Sequence, residues 1–99
     1  MAFTIVWSKQ ALEDLHGVVV FIARDNPEVA ASFGYRLISK VDMLGSFPEM
    51  GRVVPEKKNE KIREIIVRPY RVIYEVKADQ NIVAIARVWH AARGKPRIY

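Results

Sequence analysis

His90, Arg71, Glu56 and Arg93 are the side chains in this 99-residue sequence whose types and spacing could do chemistry together. An imidazole titrating at about 6.5 when unperturbed can give or take a proton near neutral pH. Arg71 offers a permanently charged, forked donor suited to a phosphate or to the extra charge of a phosphoryl transition state. Glu56, in a loop, is a candidate general base, and Arg93 lies three residues beyond His90. One reaction fits this set without a cofactor: activation of a ribose 2′-hydroxyl against its own 3′-phosphate. It needs a base, an acid for the leaving oxygen and cations for the phosphorane. Arg52, Lys57, Lys58 and Lys61 form a basic cluster, joined by Arg63, that could hold a nucleic-acid backbone.

Each residue also has a plainer reading. Arg71 can pair with Glu64 or Glu75 across a sheet. His90 can be a rim residue, Glu56 a solvated loop charge, and the basic cluster a solvated loop. His16 reads as structural or surface, and Trp7 and Trp89 as core. No cysteine is present and histidines number two, so a thiolate or His-based metal site is not expected. No nucleophile elbow or phosphate-cradling Gly-rich loop occurs.

Six elements, four strands and two helices, must position these groups. Phe3–Trp7 is β-branched and aromatic and predicts a strand. Ser8 offers an N-cap, with Glu13 and Asp14 early in the helix that follows. Leu12, Leu15, Val19 and Ile22 recur at helical spacing, which predicts an amphipathic helix over 9–24. Asn26, Pro27 and Glu28 then cap and start a second helix. Its stripe, Ala30, Phe33, Leu37, Val41 and Leu44, runs to about Gly45. So short a turn predicts an antiparallel helical hairpin. Phe47–Gly51 is punctuation and Arg52–Lys61 a basic loop. Strands are expected over Ile62–Val67, Tyr70–Lys77 and Ile82–Trp89, with an irregular tail from His90 to Tyr99. The order β-α-α-β-β-β predicts an α+β domain, its helical hairpin on one face of an antiparallel sheet.

Even-numbered hairpin loops, with Val67 opposite Tyr70 and Ala78 opposite Asn81, sort the side chains by face. Ile65, Val67, Val72, Tyr74, Val76, Val83, Ile85 and Trp89 then face the helices, with Arg63 and Arg87 at the rim. Glu64, Arg71, Glu75 and His90 share the other face with Ile62, Ile66, Ile73, Ala84, Ala86 and Val88. Two alanines among converging charges predict a shallow groove there rather than a second core. One residue of slip would exchange the faces.

The composition is that of one globular domain spanning 1–99, with 51% hydrophobic and 27% charged residues. No apolar run approaches the roughly 20 residues of a membrane span, so a soluble, cytoplasmic protein without a membrane partner is expected. Residues 1–49 hold four Lys/Arg against six Asp/Glu, and residues 50–99 hold twelve against five. The resulting balances of −2 and +7 predict a polyanionic partner for the second half.

Five segments in order carry a family resemblance. They are Ala11-Leu12-Glu13-Asp14-Leu15, Phe47-Pro48-Glu49-Met50-Gly51-Arg52, Arg63-Glu64-Ile65, Pro69-Tyr70-Arg71-Val72-Ile73-Tyr74-Glu75-Val76 and Arg87-Val88-Trp89-His90-Ala91-Ala92-Arg93. Over nearly the whole chain they resemble the RelE/ParE superfamily of toxins from type II toxin–antitoxin modules. The resemblance implies a growth-inhibiting toxin, neutralised by a cognate antitoxin that wraps around it and links it to operator DNA. RelE-like and YoeB-like members cut mRNA on the ribosome without metal, whereas ParE-like members bind DNA gyrase and block it. Arg71 matches the catalytic arginine of the RelE-like and YoeB-like enzymes. His90 falls where YoeB-like enzymes place a histidine, and Glu56 resembles their loop glutamate. The sequence reading therefore favours a metal-independent mRNA endonuclease over a gyrase inhibitor. Where YoeB-like enzymes follow the histidine with tyrosine, this chain has Ala91; Tyr99, its one later tyrosine, matches the spacing of neither subgroup.

Overall fold

The computed structural model describes residues 2–97. Strand β1 spans Thr4–Trp7, helix α1 Lys9–Ala23, helix α2 Pro27–Asp42, β2 Arg52–Val53, β3 Ile62–Val67, β4 Tyr70–Lys77 and β5 Ile82–His90. The N-caps are those the sequence announces. Ser8 accepts from the Ala11 amide, and Asn26 accepts from the amides of Glu28 and Val29, ahead of Pro27 at the start of α2. The second helix ends at Asp42 and tightens into a 3-10 turn over Met43–Gly45.

The sheet has five strands in the order β1-β5-β4-β3-β2. It is mixed rather than antiparallel, because β1 runs parallel to β5, with Thr4 opposite Ile82 and Trp7 opposite Ile85. The helical hairpin carries the chain across the sheet from β1 at one edge to β2 at the other. The expected loop after Gly51 begins with the short strand β2, paired antiparallel to Arg63 and Glu64. Gly51 is demanded by close approach: a Cβ there would lie 2.4 Å from the Glu64 carbonyl oxygen and 2.6 Å from the Tyr74 hydroxyl. That hydroxyl accepts from the Gly51 amide and donates to the Pro48 carbonyl, tying the Phe47–Gly51 segment to β4.

Both hairpin registers are as expected: Val67 opposes Tyr70, and Lys77 opposes Ile82. One irregularity changes the faces. Ile73 pairs with Arg87 but Tyr74 pairs with Ile85, so Ala86 is an extra residue, a β-bulge. Beyond it every β5 side chain swaps sides relative to the unbroken alternation. Val88 joins the helix-side core with Ile65, Val67, Tyr70, Val72, Tyr74, Val83 and Ile85. Trp89 goes to the opposite face, beside Ile62, Ile73 and Val54. Those four are all buried, so the opposite face carries a small second core, not the shallow groove expected. On α1 the buried stripe is also shifted. Ala11 is fully buried and Leu15, Val18 and Ile22 pack on the core, but Leu12 points outward.

Candidate functional site

The expected catalytic set is divided between the two faces of the sheet. Arg71 and Glu56 meet on the face that carries Trp89. His90 lies opposite Tyr70 in the ladder, on the helix side, and its ring stands edge-on to the Tyr70 ring at 5.1 Å. The bulge at Ala86 is the cause. The grouping of Arg71 with His90 in one groove is therefore corrected.

On the Trp89 face, buried charge is held by matched geometry. The Glu64 side chain is wholly inaccessible, and its two oxygens accept from Nε of Arg52 and Nε of Arg71. Arg71 turns its other edge to Glu56, with Nη1 3.1 Å and Nη2 2.8 Å from the two carboxylate oxygens. This two-point pair occupies the edge of the guanidinium that would otherwise meet a ligand oxyanion. Its hydrogen bonds hold the Glu56 carboxyl down at about 2, from an ordinary 4.5, and raise the Arg71 pKa. A carboxylate so easily ionised is a weak base. Glu56 here is the counter-ion of Arg71.

His90 accepts a hydrogen bond at Nδ1 from the Ala92 amide at 3.0 Å, which starts a 3-10 turn over Ala91–Arg93. The neutral ring therefore carries its proton on Nε2. Arg93 does not join a phosphate cradle with Arg71. Its guanidinium stacks 4.2 Å from the centroid of the Trp89 ring, with Arg87 at 4.9 Å from the same ring. The Trp89 indole donates to the Gly94 carbonyl and Arg87 Nη1 to the Arg97 carbonyl, pinning the tail.

Among the expected RNA contacts, Arg52 is engaged with Glu64. Arg63 donates to the carbonyls of Gly51 and Glu60 and lies 4.0 Å from Glu49. Lys57, Lys58 and Lys61 are exposed in the β2–β3 loop, with Lys58 left-handed at φ +50°. His16 is exposed on α1. Tyr99 lies outside the described residues. No group of three or more potential metal ligands occurs among the described residues.

One constellation escaped the sequence reading. Where β1 ends, α1 takes over the edge of β5. The Ser8 hydroxyl donates to the Ala86 carbonyl, and Asp14 accepts from the Val88 amide at 3.0 Å. Asp14 also accepts from Nε and Nη2 of Arg87 at 2.7 and 3.1 Å. Burial pushes the Asp14 carboxyl up, but hydrogen bonds from Arg87, Gln10 and the Val88 amide more than offset this, and its pKa falls. The available signal was the position of Asp14 beside Leu15, four residues before Val18, on the buried side of α1. An acid there demands a cation.

These features can be set against known proteins. Residues 5–94 match the family described as ParE toxin of type II toxin-antitoxin system, parDE. Toxin RelE2 of Caulobacter vibrioides is 36% identical over 90% of this chain and 96% of its own length. The putative toxin Y4kP of Sinorhizobium fredii is 30% identical over 95% and 94%. Among solved structures, the chromosomal ParDE system of P. aeruginosa superposes with a TM-score of 0.72 at 18% identity, covering 90% of this chain and 96% of that one. The E. coli toxin RelE gives 0.70 at 16% identity, covering 95% and 88%. The chain therefore belongs to the ParE toxin family, within the RelE/ParE superfamily of type II toxin–antitoxin toxins.

Proposed function

We propose that this toxin acts by binding a protein target, as ParE-like members bind DNA gyrase, rather than by cutting mRNA. One observation carries the reading: each nitrogen of the Arg71 guanidinium donates to Glu64 or Glu56, and His90 lies across the sheet. Phosphoryl transfer needs preorganised cations aimed at the developing charge, with acid and base within reach of the same reacting atoms. An arginine whose three nitrogens already donate to carboxylates brings a weakened positive field to a phosphate. The reading reverses the balance favoured by the sequence, and it is supported by geometry. The cognate partner is an antitoxin protein, as in the toxin–antitoxin complex RelBE2 of Mycobacterium tuberculosis.

The test is induced expression in a permissive bacterium, with primer-extension mapping of an abundant mRNA within minutes. Intact mRNA, filamentous cells and an induced DNA-damage response are the expected result, together with inhibition of gyrase supercoiling by the purified protein. Translation-dependent cuts at codon positions, lost in His90→Ala, would return the protein to the nuclease class and require the Glu56–Arg71 pair to open on the ribosome.

A further inference from the structure

Helix α1 takes over the edge of β5 only beyond Trp7, so β1 is itself an outer strand of the sheet. In its parallel ladder the amides of Thr4 and Ser8 point inward, to the carbonyls of Asn81 and Ile85. Alternation turns the amides and carbonyls of Ile5 and Trp7 outward. The Phe3 amide, also outward, is closed by the Gly45 carbonyl at 2.7 Å. Among the described residues no backbone carbonyl accepts from the outward amides of Ile5 and Trp7.

This edge lacks the charges, prolines and bulges that keep sheet edges apart. The stretch Phe3–Ser8 holds no charged residue and no proline, and its register with β5 is unbroken. The opposite edge is guarded, since Lys40 Nζ donates to the Ile66 carbonyl at 3.1 Å. Phe3, Ile5 and Trp7 pack on the helix-side core, so Val6 faces the other way, where it is 44% exposed.

We infer that β1 docks antiparallel on β1 of a second copy of this chain, about a two-fold axis at Val6. Ile5 of each copy then exchanges both peptide hydrogen bonds with Trp7 of the other, and every outward group of these residues is closed. The two Val6 side chains meet as a non-hydrogen-bonded pair, with Cα atoms about 4.5 Å apart. Antiparallel pairing also brings the Phe47 end of one copy, next to Gly45, toward the Leu12 end of the other. Both side chains are exposed, at 61% and 52%. An uncharged edge that is its own complement selects a second copy, and the distribution of charge permits it. Residues 1–49 balance at −2 and residues 50–99 at +7. Strand β2, where the basic loop begins, lies at the far edge of each sheet, so the two basic loops stay apart. A strand of four residues falls short of the about 1,200 Å² that stable interfaces bury, so the dimer is weak, with a Kd of about 10–100 μM. The inference is independent of how the toxin stops growth.

The test uses the purified full chain. Sedimentation equilibrium is expected to show a reversible dimer, half-formed at about 10–100 μM. Concentrating the chain across that range should slow amide exchange at Ile5 and Trp7. Val6→Lys sets like charges opposite each other and should weaken the dimer at least about tenfold, with cooperative melting kept. Within one copy Val6 lies opposite Ala84, so the new lysine meets no charge there. An equimolar mixture of Val6→Lys with Val6→Glu should restore the dimer. The exchange measurement needs no variant, so a misfolded Val6→Lys cannot imitate its result. A chain that stays monomeric up to about 1 mM would overturn the inference. So would a dimer that Val6→Lys leaves intact, or concentration-dependent protection at Ile66 with none at Ile5 and Trp7.

Discussion

Glu64 has no accessible side-chain surface, and its stability depends on two guanidinium groups that reach it from different strands. Stranding a buried charge typically costs about 3–5 kcal/mol. Arg71→Ala leaves Arg52 in place, so a smaller loss, about 2 kcal/mol, is expected in urea unfolding. This matters for reading function. A loss of toxicity in Arg71→Ala would report a damaged fold, whereas His90→Ala and Glu56→Gln leave the Glu64 pairs intact and test chemistry cleanly. Glu56 also writes a pH signature. Its carboxyl is held at about 2 in the folded chain against an ordinary 4.5. The pair with Arg71 therefore stabilises fully above pH 4.5 and is lost as pH falls from there through about 2. Acid titration of stability should show this limb in the native chain and lack it in Glu56→Gln. Equal acid limbs in both would mean that the pair contributes nothing.

At the scale of elements, the decisive feature is one extra residue in β5. Deleting Ala86 would remove the bulge and leave a regular ladder with the native pairs, Ile85 opposite Tyr74 and Arg87 opposite Ile73, so Val88, Trp89 and His90 would keep their faces. Both cores are then preserved, and the variant is expected to keep a cooperative thermal transition and its near-ultraviolet signal from Trp89. Loss of cooperative melting in that variant would show that the bulge geometry itself is needed, beyond the faces it assigns. The same residue explains what was legible in the sequence. Helix caps, hairpin turns and strand limits could be read because Ser8, Asn26-Pro27 and Asp79-Gln80 act locally. Most of the helix-side core could be read because Ile65, Val72, Tyr74, Val83 and Ile85 keep period two. An alanine bulge has no local signature, since any small residue fits it, and it is fixed by whether Val88 or Trp89 better fills the space beneath the helices. The parallel pairing of β1 was hidden for a related reason: its partner lies 78 residues on, measured from Thr4 to Ile82. Arg71 could be read as a pairing residue as well as a functional one, and Glu64 was one of the two partners named for it. Its second partner comes from a loop whose path no periodicity dictates.

Across the whole molecule the two helices are held very differently. Helix α2 buries Ala30, Phe33, Leu37 and Val41, while α1 buries Ala11 alone and rests half-exposed apolar side chains on the core. What anchors α1 is polar and sits at its first turns: Ser8 on the Ala86 carbonyl, and Asp14 on the Val88 amide and Arg87. Local stability follows buried apolar contact, so α1 should be the first unit to open. Native-state amide exchange is expected to rank α1 below α2 and below β3 to β5. Asp14→Ala should lower the protection of α1 and of Val88 by about 2 kcal/mol, through the lost charged hydrogen bonds and the unsatisfied amide and guanidinium left behind. A double-mutant cycle with Arg87→Ala should assign about 1.5 kcal/mol of this to the pair itself. Equal protection of both helices, or a loss spread evenly over the sheet, would place α1 inside the global cooperative unit. If α1 opens separately, a partner that covers the helical hairpin gains affinity by holding closed what the free chain lets open. Neutralising the toxin and stabilising α1 would then be one event, measurable as added α1 protection in the complex.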